Sequence, residues 1–184
     1  MHPHSHQSPT LGIDIGRVII SAADSSGRSD TAFLSGNDER ALETPPSAGA
    51  IEAITELVLA FEGRVWLVSK CGPRIQALTR RWLERQDFFT RTGVPPEHLR
   101  FCLKRPEKRE HCAAIGATHF VDDRLDVLTH LVGLVPHLFW FGHQAPGAEA
   151  PAWARQTLDW SEAKAAILSR LPRSRVGSEQ ALRA

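Results

Sequence analysis

The sequence predicts an α/β protein: a Rossmann-like parallel sheet of about five strands with helices on both faces. Three observations carry this. Short, continuous apolar runs of strand length alternate with segments of helical periodicity, the pattern of a sheet covered on both sides. Gly and Pro punctuate the boundaries between them. The polar residues inside the apolar runs sit at the carboxyl ends of those runs, where open α/β sheets bind their ligands.

The elements follow in order. "LGIDI", residues 11 to 15, reads as the first strand. The next stretch, "SAADSSGRSDTAFLSGNDERALETPPS", is rich in turn formers, with "TAFL" as a short hairpin strand. In "SAGAIEAITELVLAFEGR" the residues Ile51, Ile54, Leu57, Val58 and Phe61 recur at helical spacing, and Gly63 is placed to stop the helix. "RVWLVS" is a buried strand ending at Ser69, and Pro73 starts the helix "RIQALTRRWLERQDFF". "LRFCL" is the third strand and "PEKREHCAAIG" a helix closed by Gly116. "THFVDD" is a fourth strand ending in two carboxylates, followed by the helix "RLDVLTHLVG". "PHLFWFG" is the fifth strand and "SEAKAAILSRL" the last helix. Residues 11–171 thus form one domain, with polar, disordered tails expected at 1–10 and 172–184.

Composition narrows the function classes. The 184 residues are 42% hydrophobic and 23% charged, ordinary for a globular chain. A net charge of +1 gives no global case for nucleic acid or an anionic membrane as partner. No apolar run approaches the roughly 20 residues that span a bilayer, and "MHPHSHQSPT" lacks the apolar core of a signal peptide. Cys71, Cys102 and Cys112 are odd in number and show no paired metal spacing, so a reducing cytoplasm is expected. Arg74, Arg80, Arg81 and Arg85 form a basic stripe that reads as a solvated helix face.

The chemistry gathers at strand ends. Asp14, Ser69, Asp122 and Asp123 all fall at the expected carboxyl ends of short strands. If the first and fourth strands are neighbours, three carboxylates meet at one edge. Such a cluster repels itself unless a cation sits in it, and hard oxygen ligands favour Mg²⁺. Taken singly, each residue also suits a helix cap or a turn; their joint order along the chain does not follow from capping.

That order, Asp then Ser then Lys then Asp-Asp, resembles the haloacid dehalogenase superfamily. "IDIG" matches its first motif, with Asp14 in the nucleophile position. "VWLVS" matches the second at Ser69, and Lys108 matches the third, with Lys104 and Arg105 as rivals. "FVDD" matches the fourth at Asp122 and Asp123, with Asp126 nearby. The resemblance implies a Mg²⁺-dependent hydrolase, most simply a phosphatase working through an aspartyl-phosphate. Asp14, Ser69 and Lys108 would be catalytic; Asp14, the Gly16 carbonyl, Asp122 and Asp123 would hold the metal. It also implies no large cap domain, since the spans between motifs are short, and hence an open site for a phosphorylated substrate. One departure stands out: the family's second Asp of the first motif, the usual general acid, is Gly16 here. This opens an alternative, an impaired relative that binds a metal, a phosphate group or another protein without turnover.

Overall fold

The computed structural model describes residues 8–22, 33 and 37–172. Six parallel strands form one sheet in the order β3-β2-β1-β4-β5-β6. They are β1 (Leu11–Ile13), β2 (Val65–Lys70), β3 (Leu99–Cys102), β4 (His119–Asp122), β5 (His137–Phe141) and β6 (Ala154–Thr157). The helices are α1 (Asp38–Leu42), α2 (Ala50–Ala60), α3 (Pro73–Arg85), α4 (Phe88–Thr92), α5 (Lys108–Ala114), α6 (Leu125–Leu131) and α7 (Trp160–Leu168). Single 3₁₀ turns at Pro96–His98 and Arg105–Glu107 precede β3 and α5.

Both sheet faces are covered, and strand alternation feeds two separate apolar clusters. Leu67, Val121 and Phe139 point to one, together with residues of α2, α3 and α7. Val68, Phe120, Leu138 and Trp140 point to the other, against Cys112 of α5 and Leu128 and Leu131 of α6. Two buried indoles tie loops to the larger cluster. Trp82 donates to the Thr44 carbonyl at 2.8 Å and Trp160 to the Val18 carbonyl at 2.9 Å.

The sheet has one more strand than the five expected. β6 escapes a search for apolar runs because "ARQT" is polar: it is an edge strand, and only Ala154 and Thr157 are buried. Helix α1 is five residues long, too short for periodicity, and is marked mainly by its cap, where the Asn37 side chain accepts from Arg40 N at 3.0 Å. The single helix expected over residues 74–89 is two helices, because Asp87 takes a left-handed φ of 51° between α3 and α4. The stop at Gly63 is as expected, with φ at 80° and its N–H bonded to the Val58 carbonyl at 2.8 Å. The "TAFL" hairpin strand lies, Phe33 apart, outside the described residues, as do residues 1–7 and 173–184 of the expected tails. Thr10, counted with the N-terminal tail from composition, is buried, and its N–H bonds to Thr118 Oγ1 at 2.9 Å. No helix among the described residues is long and apolar enough to cross a membrane.

The topology positions the site. β1 is central: the chain runs outward through β2 and β3 on one side, then crosses back to lay β4, β5 and β6 on the other. The switch point therefore falls between β1 and β4, at their carboxyl ends. Gly12 pairs in register with Phe120 there, and glycine is needed: a Cβ would lie 2.4 and 2.6 Å from two Phe120 ring carbons. The ring fills the space a side chain at position 12 would take.

Candidate active site: an acidic centre clamped by a buried lysine

β1 ends at Ile13, and the next residue, Asp14, still bonds through its N–H to the Val121 carbonyl at 2.9 Å. The chain then turns sharply. The Ile15 carbonyl accepts from the N–H groups of Val18, Ile19 and Ile20 at 2.9–3.4 Å. This tight loop returns Val18, Ile19 and Ile20 to the core and leaves Gly16 and Arg17 at the surface. Across the switch point, β4 ends at Asp122, so the first and fourth strands are indeed neighbours. One oxygen from each of Asp14, Asp122 and Asp123 lies within 4.8 Å of the others.

A single ammonium holds this centre. Lys108 is the first residue of α5 and is 1% exposed. Its Nζ donates to Asp14 Oδ1 at 2.5 Å and to Asp122 Oδ2 at 2.6 Å. The Phe120 ring lies beneath it, 5.5 Å from Nζ to the centroid. Of the three basic residues left open by the sequence, Lys108 is the one brought to the carboxylates. Lys104 is exposed, and its N–H caps the 3₁₀ turn through Glu107 Oε2 at 3.1 Å. Arg105 reaches only the cavity rim and pairs with Asp126 at 3.3 Å. Asp126 is held off the centre by Arg105 and Arg124.

The charges are unevenly shared. Burial works against the Lys108 cation, but Asp14 and Asp122 outweigh it and raise its pKa, so the lysine stays charged. Burial pushes the Asp122 carboxyl up to about 7 against the pull of Lys108, because that one ammonium is divided between two acids and Asp14 adds repulsion. Asp122 Oδ1 also accepts from Arg124 N at 2.9 Å. Asp123 is raised to about 6, by burial first and then by Asp14; Arg17 pulls the other way, with Nε 3.2 Å from Asp123 Oδ2. The indole of Trp140 fixes the Asp123 backbone by donating to its carbonyl at 3.1 Å. The centre is thus short of positive charge, and its donors are hard oxygens at the spacing of a divalent cation's inner shell.

A cavity of about 310 Å³ opens over it, lined by Asp14, Ser69, Lys108, Asp122 and Asp123 among others. Ser69 is buried on β2, one residue short of the strand's end. Gly16 lines the same cavity, lies outside the left-handed region, and a Cβ there would meet nothing within 4 Å. Arg17 also lines it, with a left-handed φ of 63°; no local signal in the sequence marks that conformation. The cysteines are unpaired and buried. Desolvation raises the Cys71 thiol to about 11, which keeps it protonated at the cavity wall. The basic stripe is largely answered by α1: Arg74 and Arg81 pair with Asp38 at 2.9 and 3.4 Å, and Arg80 stacks over Phe101. Neither a family model nor a curated protein sequence matches this chain.

Proposed function

We propose that the chain is a capless, Mg²⁺-dependent hydrolase similar to the haloacid dehalogenase superfamily, acting on a phosphorylated substrate through an aspartyl-phosphate. The observation that carries this reading is the buried Lys108 bridge between Asp14 and Asp122, with Asp123 beside it, at the switch point of a parallel sheet. Three carboxylates within 4.8 Å fit a hard divalent cation. Asp14, Asp122 and Asp123 would hold it, with the Gly16 carbonyl. Bound there, Mg²⁺ offsets the repulsion between an attacking carboxylate and a phosphate group.

The protein's own groups divide the remaining work. Asp14 attacks phosphorus with one carboxylate oxygen as the bond to the ester oxygen breaks. Water protonates the leaving oxygen, since Gly16 brings no acid. A second water cleaves the aspartyl-phosphate to release phosphate and restore Asp14. Lys108 orients Asp14 and stabilises the charge that builds on the phosphoryl oxygens. The Ser69 hydroxyl donates to one of those oxygens. One buried ammonium beside the carboxylates matches a single phosphoryl group, which suits a phosphate end more than a continuous nucleic-acid backbone. Three unpaired thiols fit a cytoplasmic setting.

A second reading rests on Gly16. No carboxyl there can protonate a leaving group, so a module that binds metal and phosphate without turnover is the rival. Hydrolysis of p-nitrophenyl phosphate with Mg²⁺ and with a chelator separates the two. The enzyme reading expects Mg²⁺-dependent turnover that Asp14→Asn abolishes while circular dichroism stays unchanged. Mg²⁺ binding by calorimetry, weakened in Asp122→Asn, with no turnover of any ester in a broad panel, selects the rival.

A further inference from the structure

Arg17 stands apart from the proposed chemistry, and three of its features converge. It is a non-glycine residue with φ of 63°, a conformation that glycine takes without strain. Its side chain is 61% exposed and pairs with Asp123, with Nε 3.2 Å from Oδ2. Among the described residues the two terminal nitrogens make no hydrogen bond, so the guanidinium keeps donors for an incoming group. Finally, it lines two cavities at once: the one over the acidic centre and a second of about 460 Å³ along the end of β5, which also borders Ser47, His143 and Trp160. Of the Lys and Arg side chains on either cavity, Arg17 is the one common to both.

We infer that Arg17 is a specificity-determining residue that selects substrates bearing a second anionic group, a carboxylate or phosphate one or two bonds from the reacting phosphoryl group, with the rest of the substrate in the second cavity. This rests on the proposed reading of the acidic centre as a phosphate site. The chemistry favours arginine here: a planar fork grips a carboxylate or phosphate with two parallel bonds, whereas an ammonium offers a point charge. The ion pair with Asp123 draws the guanidinium toward the acidic centre. Arg124 also borders the first cavity, but both of its carboxylate contacts go to Asp126 and it does not reach the second.

The test compares two non-hydrolysable probes that differ by one carboxylate, methylphosphonate and phosphonoacetate, by calorimetry on the full chain in saturating Mg²⁺. The wild type is expected to bind phosphonoacetate about tenfold or more tighter, the worth of one bond to a charged group. Arg17→Gln should bring the two affinities together while leaving methylphosphonate binding within about threefold of wild type. Arg17→Gly should do the same and, by relieving the left-handed backbone, should fold at least as well, which excludes misfolding as the cause. Arg124→Gln should keep the preference. Equal affinities in the wild type overturn the inference, as does a preference that survives in Arg17→Gln. An equal loss of preference in Arg124→Gln overturns it too, since general rim charge would then be responsible. If neither probe binds the wild type, the phosphate-site reading fails together with the inference, a pattern distinct from binding without preference.

Discussion

Replacing Lys108 with Met tests the acidic centre most directly. The change nearly conserves length and volume, so packing against Phe120 persists while the charge goes. The ammonium is almost fully buried and makes two charge-assisted bonds, at 2.5 and 2.6 Å. Removing one partner from a buried ionic group costs about 3–5 kcal/mol, because the remaining charges stay desolvated and unpaired. Here two carboxylates are left facing each other, so the upper part of that range applies. With a urea m-value of about 2 kcal/mol/M, the midpoint should fall by about 2 M at pH 8.

The pH dependence has a defined sign. Carboxyls whose folded pKa is raised bind more protons in the native state than in the unfolded state, so stability falls as pH rises through the raised values. Wild type already has this slope from Asp122 at about 7 and Asp123 at about 6. Lys108→Met should steepen it, and the gap to wild type should narrow as pH drops towards 5. Mg²⁺ at about 100 times its dissociation constant should restore about 2.7 kcal/mol, and Asp122→Asn in the same background should also recover stability. Urea titrations at pH 8 and pH 5, with and without Mg²⁺, read all of this. A Lys108→Met midpoint within error of wild type at pH 8 would refute the reasoning, since it would mean that the lysine carries no electrostatic part of the fold.

Two further substitutions test neighbouring claims. Gly12→Ala should destabilise by about 1–3 kcal/mol, the cost of overpacking, because the new Cβ meets the Phe120 ring. Phe120→Leu should recover part of the loss in the double variant, and additive effects in urea melts would contradict a direct clash. Gly16→Asp should raise turnover of poor leaving groups by about 10²-fold or more if only the general acid is missing. The backbone and the surrounding space accept a side chain there, so strain will not mask the result. A Gly16→Ala control that is equally inert, with Mg²⁺ binding intact in both, would count against the missing-acid account.

What could be read from the sequence divides along physical lines. Asp14, Asp122 and Asp123 were visible because a carboxylate interrupting or ending an apolar strand is conspicuous in one dimension. Their convergence required β1 to lie beside β4, a pairing that the strand pattern allowed without requiring. Lys108 could not be separated from Lys104 and Arg105, since only the 3₁₀ turn at Arg105–Glu107 decides which side chain faces inward. The need for Gly12 was hidden because it depends on Phe120, 108 residues later, standing opposite it in register. β6 and α1 were missed for want of apolar periodicity, and Arg17 because its conformation is imposed by the three bonds converging on the Ile15 carbonyl.

The lysine clamp has a consequence for the order of events during synthesis. Lys108 closes a span of 94 residues to Asp14 but only 14 to Asp122. A growing chain can bury its first helices against β1, β2 and β3 while Asp14 waits without its counterion. The centre is completed only after the strand that crosses back to the other side of β1 has docked. Domains fold as units during translation, and here the charged groups can meet only once β4 lies beside β1. No amino-terminal fragment ending before Asp122 can present the full set of carboxylates. On the proposed reading, cation binding therefore requires β4 in place beside β1, and a chain interrupted before β4 lacks two of the three carboxylates.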